Sequence, residues 1–157
     1  GSIVGHNTIV FKDHLVVFKH NEIWVSANGV RWKRIAKDIF PSRTYSEFIV
    51  YNDVMYIIGG ENWSGSGTFY NEIWQSTNGK NWSQVLTSGS LFSPRSRLTA
   101  TIYQEKVWVI GGSQLSGYDS DEIWVSEDMK EWCEYNGGTP FTKISSHSSL
   151  ATSKYCA

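Results

Sequence analysis

The sequence predicts an all-β protein made of three repeated units, each folding as four short antiparallel strands. Three observations predict it. The tripeptide Glu-Ile-Trp occurs at Glu22-Ile23-Trp24, Glu72-Ile73-Trp74 and Glu122-Ile123-Trp124, each start 50 residues after the last, and a period of that length marks a repeat architecture. A second tryptophan follows eight residues after each of these, at Trp32, Trp82 and Trp132. Aromatic residues make up 15% of the chain and no stretch holds a helical apolar period, so essentially no helix is expected.

Each unit opens on a hairpin. Thr8 to Phe11 and His14 to Phe18 join at Lys12-Asp13, Phe48 to Tyr51 and Val54 to Ile58 at Asn52-Asp53, and Leu98 to Tyr103 and Lys106 to Ile110 at Gln104-Glu105. The Glu-Ile-Trp segment supplies a third strand, and the second tryptophan begins a fourth. Between them lie Ala27-Asn28-Gly29, Thr77-Asn78-Gly79 and Glu127-Asp128-Met129. Asn-Gly between strands predicts a type I′ turn, whose two central residues both need positive φ.

Units of about 50 residues with four antiparallel strands are the signature of a β-propeller blade. The runs Tyr56-Ile57-Ile58-Gly59-Gly60 and Trp108-Val109-Ile110-Gly111-Gly112, with their later tryptophans, resemble the double-glycine mark of kelch repeats. The resemblance covers nearly the whole chain and implies blades at about 3–40, 41–92 and 93–140, with 141–157 as an extra inner-strand segment. In that segment Ser145-Ser146-His147-Ser148-Ser149 aligns with Pro94-Arg95-Ser96-Arg97-Leu98. A neighbouring family, the sialidase-type propellers, carries an aspartate box. Ser26-Ala27-Asn28-Gly29-Val30-Arg31-Trp32 and Ser76 to Trp82 come one residue short of it.

Propellers close with four to eight blades, and three blades with the start of a fourth do not close a ring. Either the chain is part of a longer propeller, with Gly1-Ser2 reading as a cloning remnant, or two copies pair into a six-bladed ring. An isolated arc would leave apolar faces and strand edges in water. A homodimer is therefore the expected partner, because closed symmetry is favoured over an open filament.

Composition narrows the function classes. A net charge of −1 over 157 residues leaves no electrostatic footprint for nucleic acid or an anionic membrane, and neither is expected as a partner. The longest apolar runs are about five residues, so no membrane-spanning helix and no signal peptide are expected. Cys133 and Cys156 do not fix the redox compartment, and Cys133 is expected to face solvent. Two glycosylation sequons, at Asn62 and Asn81, carry weight only in a eukaryotic secretory setting. The four histidines form no ligand-like cluster, and the stretch Ser64 to Thr68 lacks the lysine and helix start of a phosphate cradle. No cofactor, no metal and no catalytic residue are expected.

Candidate ligand contacts fall in two sets of loops. The connection between second and third strands is short in the first unit but runs from Glu61 to Tyr70 in the second and from Ser113 to Ser120 in the third. These carry Trp63, Tyr70 and Tyr118, aromatics able to stack on a sugar or anchor a peptide. The second set leads into the inner strands, where Arg43 aligns with Arg95 and Tyr45 with Arg97. Ser93 to Arg97 resembles a segment of kelch adaptors whose second arginine grips acidic peptide side chains. The resemblance implies that Arg97 and Tyr45 face the channel mouth, while Arg43 and Arg95 have a structural reading as well. Glu22, Glu72 and Glu122 are expected to serve turns and blade contacts rather than a carboxylate ring.

The expected function is a non-catalytic binding scaffold for a peptide or glycan. The alternatives are a propeller piece with no ligand of its own and a sugar-active enzyme. For the enzyme, resemblance to bacterial kelch propellers that act as sialic acid mutarotases implies Glu47 and Arg97 as base and anion anchor.

Overall fold

A computed structural model describes residues 7–62, 67–135 and 143–145 of the chain. Strands β1 (Asn7–Phe11), β2 (His14–Lys19), β3 (Glu22–Ser26) and β4 (Lys33–Lys37) form the first sheet in sequence order. The second unit follows with β5 (Glu47–Tyr51), β6 (Val54–Ile58), a ribbon of β7 (Glu61–Asn62) and β8 (Thr68–Phe69), then β9 (Ile73–Ser76) and β10 (Ser83–Gln84). Its sheet order is β5-β6-β9-β10, with the ribbon standing apart. The third sheet runs β11 (Thr99–Tyr103), β12 (Lys106–Ile110), β13 (Ile123–Ser126) and β14 (Cys133–Glu134). All pairings between these strands are antiparallel, and the described residues contain no helix.

The tight type I′ geometry belongs to the first hairpin of each unit. Lys12 and Asp13 have φ of 47° and 60°, Asn52 and Asp53 49° and 59°, and Gln104 and Glu105 50° and 58°. That twist suits the right-handed twist of the flanking strands. The Asn-Gly segments correct the expectation made of them, because only Gly29, Gly79 and Met129 take positive φ there. Side chains build these loops instead. Ser26 Oγ accepts from the Gly29 amide at 2.9 Å, Asn28 Oδ1 accepts from Val30 and Arg31 at 3.0 Å, and Trp32 Nε1 donates to the Gly29 carbonyl at 3.1 Å. The same set recurs around Ser76, Asn78 and Trp82 and around Ser126, Asp128 and Trp132. An Asx side chain satisfying two following amides makes an asparagine or aspartate the natural residue at this position.

The sheets stack face to face and two cores lie between them. Phe18, Ile23, Phe48 and Ile57 sit in the core between the first and second sheets. Ile58, Phe92, Val109 and Trp132 sit in the core between the second and third. Strands β1, β5 and β11 neighbour one another along one side, which makes them the inner strands. Among the described residues the two outward faces carry no sheet: Trp32 is 39% exposed on the first and Tyr135 45% on the third.

Past the third sheet, Ile144 bridges Ser120 and its carbonyl accepts from the Gly112 amide at 2.8 Å. Arg95 occupies the same backbone station one unit earlier, donating to Tyr70 and accepting from Gly60. Ile144, not Ser146, is therefore the counterpart of Arg95, a shift of two residues from the expected alignment. The rest of the segment after 145 lies outside the described residues, as do Trp63 and Cys156. Cys133 is exposed.

Candidate functional site

The double glycines shape the end of the blades where the inner strands begin. Gly59 and Gly60 have φ of 63° and 104°, and Gly111 and Gly112 repeat this at 61° and 103°. A Cβ on Gly60 would stand 2.1 Å from Ser46 Oγ, and one on Gly112 2.8 Å from the Ser96 carbonyl. Only glycine meets both the conformation and the close approach.

Arg43 and Arg95 lie beneath this end. Both side chains are fully buried, so they do not reach a ligand at the surface, and their place among the expected ligand contacts is corrected here. Arg43 donates to Glu72 at 2.8 Å and to the Gly59 carbonyl at 3.3 Å, and lies 4.0 Å from the Tyr70 ring centre. Arg95 repeats the arrangement with Glu122, the Gly111 carbonyl and Ser120 Oγ. Burial pulls the Arg43 guanidinium down while Glu72 opposes it. Burial also works to raise Glu72 and Glu122, but hydrogen bonds from the arginines and from Trp74 and Trp124 hold both carboxyls below the ordinary range. Each Glu thus ties an arginine to the indole two residues on, which explains the spacing of Glu-Ile-Trp. In the first unit Glu22 holds Trp24 and the exposed Arg34 instead.

Tyr70 serves this packing as the lid on Arg43, and is half-buried. Tyr118 is 66% exposed with Lys143 Nζ 4.8 Å above its ring.

Arg97 and Tyr45 behave differently. They occupy matching positions before β11 and β5, both with φ of 54°, and the Arg97 amide donates to the Tyr45 carbonyl at 2.9 Å. The Arg97 guanidinium lies 4.3 Å from the Tyr45 ring centre and donates to Glu61 at 3.2 Å. Its side chain is 34% exposed while that of Glu61 is fully buried. Nearby, Ser113 donates to Asp119 at 2.6 Å. That bond holds the Asp119 carboxyl below its ordinary value against burial, aided by the charges of Arg97 and Lys143.

The ion partner of Arg97 is Glu61, a residue the sequence did not single out. Glu61 follows directly on Gly59-Gly60, and that position was the signal for it. Glu47 sits half-buried at the start of β5. Burial pushes its carboxyl up to about 7, with a hydrogen bond from Asn7 working the other way.

Comparison with known proteins places this geometry. No known sequence family matches the chain, and no curated protein matches it in sequence. In fold it is similar to the solved structure of YjhT, with a TM-score of 0.76 at 10% identity over 92% of this chain. The chain is an arc of kelch-type propeller blades. It spans 54% of the YjhT chain, about half a propeller. YjhT is one of 151 similar solved chains, so the likeness gives the architecture and leaves function to the site.

Proposed function

We propose that these kelch blades form a non-catalytic binding scaffold, half of a six-bladed ring that a second copy completes, with Arg97 at the channel mouth gripping an acidic group of a peptide or glycan. The observation that carries this reading is the state of Arg97. Its guanidinium is stacked on Tyr45 and anchored by buried Glu61 while a third of the side chain remains in solvent. An arginine held in this way loses little freedom on binding a carboxylate, which its planar fork grips by two parallel hydrogen bonds. Tyr45 and the exposed Tyr118 offer aromatic faces at the same end. The uncovered Trp32 and Tyr135 faces support pairing.

The test is fluorescence titration with a glutamate-rich octapeptide and with free sialic acid. Saturable binding of one probe, weakened at least tenfold in Arg97→Ala, supports the reading. Binding of neither, or equal binding by the variant, overturns it.

One observation favours the second reading, a sugar-active enzyme. A carboxyl with a pKa of about 7 on an inner strand, as at Glu47, is poised to exchange protons at neutral pH. Anomer exchange of sialic acid that disappears in Glu47→Gln would support it, and exchange unchanged in that variant would sink it.

A further inference from the structure

We infer that the cleft between the first and second blades is a binding site for a small aromatic or aliphatic carboxylate. The two blade interfaces are built from corresponding residues, and stations that hold large side chains in one hold smaller ones in the other; the open hollow of about 710 Å³ beside Tyr51 in the second interface is edged by Glu105 and Glu127. Between the second and third blades, the Tyr51 hydroxyl lies 2.6 and 2.8 Å from the carbonyls of Glu105 and Glu127, with one proton to donate to either. Tyr56 and the fully buried Met129 pack in the core of that interface. The same stations between the first and second blades hold Phe11, Val16 and Gly79. A hydroxyl, a phenol ring and a thioether chain are all missing, and a cavity of about 360 Å³ opens there.

That volume lies within the usual range for small-molecule sites, roughly 300–1,000 Å³. The walls are apolar, with Phe11, Val16 and Met55 among them, and the exposed residues at its edge are Lys12, His14 and Lys80 beside Thr77 and Asn78. Lys12 Nζ sits 5.0 Å from the Phe11 ring centre, a cation against the apolar wall. Among the described residues no carboxylate lines the cavity. An apolar interior under a cationic rim selects an amphipathic molecule with an apolar body and an anionic head.

The chain has two methionines, and they provide an internal control. Met55 lines the cavity, and Met129 is fully buried in the core between the second and third blades. The full chain carrying ¹³C-methyl methionine is titrated with 3-phenylpropanoate and with 3-phenylpropanamide, its neutral twin. The proposal expects a saturable shift of the Met55 methyl with Met129 unmoved, and at least tenfold weaker binding of the amide. Val16→Phe, refilling the space, abolishes the Met55 response while Met129 keeps its position. Should Val16→Phe not fold, the surface pair Lys12→Ala and Lys80→Ala weakens the acid at least fivefold and leaves the amide unchanged. An unmoved Met55, both methyls moving together, equal affinity for acid and amide, or an acid affinity indifferent to both lysines overturns it.

Discussion

The covered and uncovered faces of this molecule use the same residues in opposite surroundings. Trp132, at the interface of the second and third blades, is 3% exposed, whereas Trp32, at the same station on the open face of the first blade, is 39% exposed. Each donates its indole N–H to the carbonyl three residues back, at 3.1 Å. The loop therefore forms the same way whether or not a neighbour covers it. On the other side, Tyr51 and Tyr56 are buried against the third blade, while their counterparts Tyr103 and Trp108 are half-buried and Trp108 packs on exposed Tyr135. Local hydrogen bonding shapes a blade, and its neighbour supplies the burial.

The sharpest way to break that comparison is to truncate the two tryptophans. Trp132→Ala removes a buried indole and costs about 3–5 kcal/mol, read by chemical denaturation. Trp32→Ala costs under about 1 kcal/mol in the isolated chain and acts on pairing instead. Equal costs at the two positions would mean that both faces are covered alike.

The ionic contacts sharpen it next. Arg95→Ala strands Glu122 and removes a buried cation, a loss of about 3–5 kcal/mol. Arg34→Ala breaks the exposed pair with Glu22 on the open blade, where the loss is about 0–1 kcal/mol.

The smallest effect is that of pH. Burial raises the Glu47 carboxyl to about 7 in the folded chain, above its ordinary value of 4.5, so in that window the folded chain binds more protons than the unfolded one. Stability contributed by the neutral carboxyl is complete below about pH 4.5 and declines as pH rises through 7. Melting temperature should fall between pH 5.5 and pH 8, and Glu47→Gln should flatten this fall. A slope unchanged in the variant would assign it to other groups.

Much of the fold is written in the repeat. Glu-Ile-Trp recurs because each unit sets the same carboxylate on the same indole, and the double glycines recur in the second and third units because both need the same close backbone approach, so strands and stacking were legible. The placement of the tight turn was not, since an asparagine before glycine suits either a type I′ turn or a loop closed by its own side chain, and only the Ser26 and Trp32 contacts decide. Arg43 and Arg95 were hard to read because arginine is usually exposed and its carboxylate partners lie 29 and 27 residues away. The pairing of Arg97 with Glu61 rests on the ribbon β7–β8, which bridges Thr44 and brings Glu61 beneath the inner strands.

The central claim, that the open faces are made to be covered by a second copy, is tested most directly by solution mass. Light scattering on a sizing column across a dilution series should give a sharp species of about twice the 17.8 kDa chain mass, reduced to the single-chain mass by Trp32→Glu. A single chain at every concentration, or a pair that Trp32→Glu leaves intact, would contradict it.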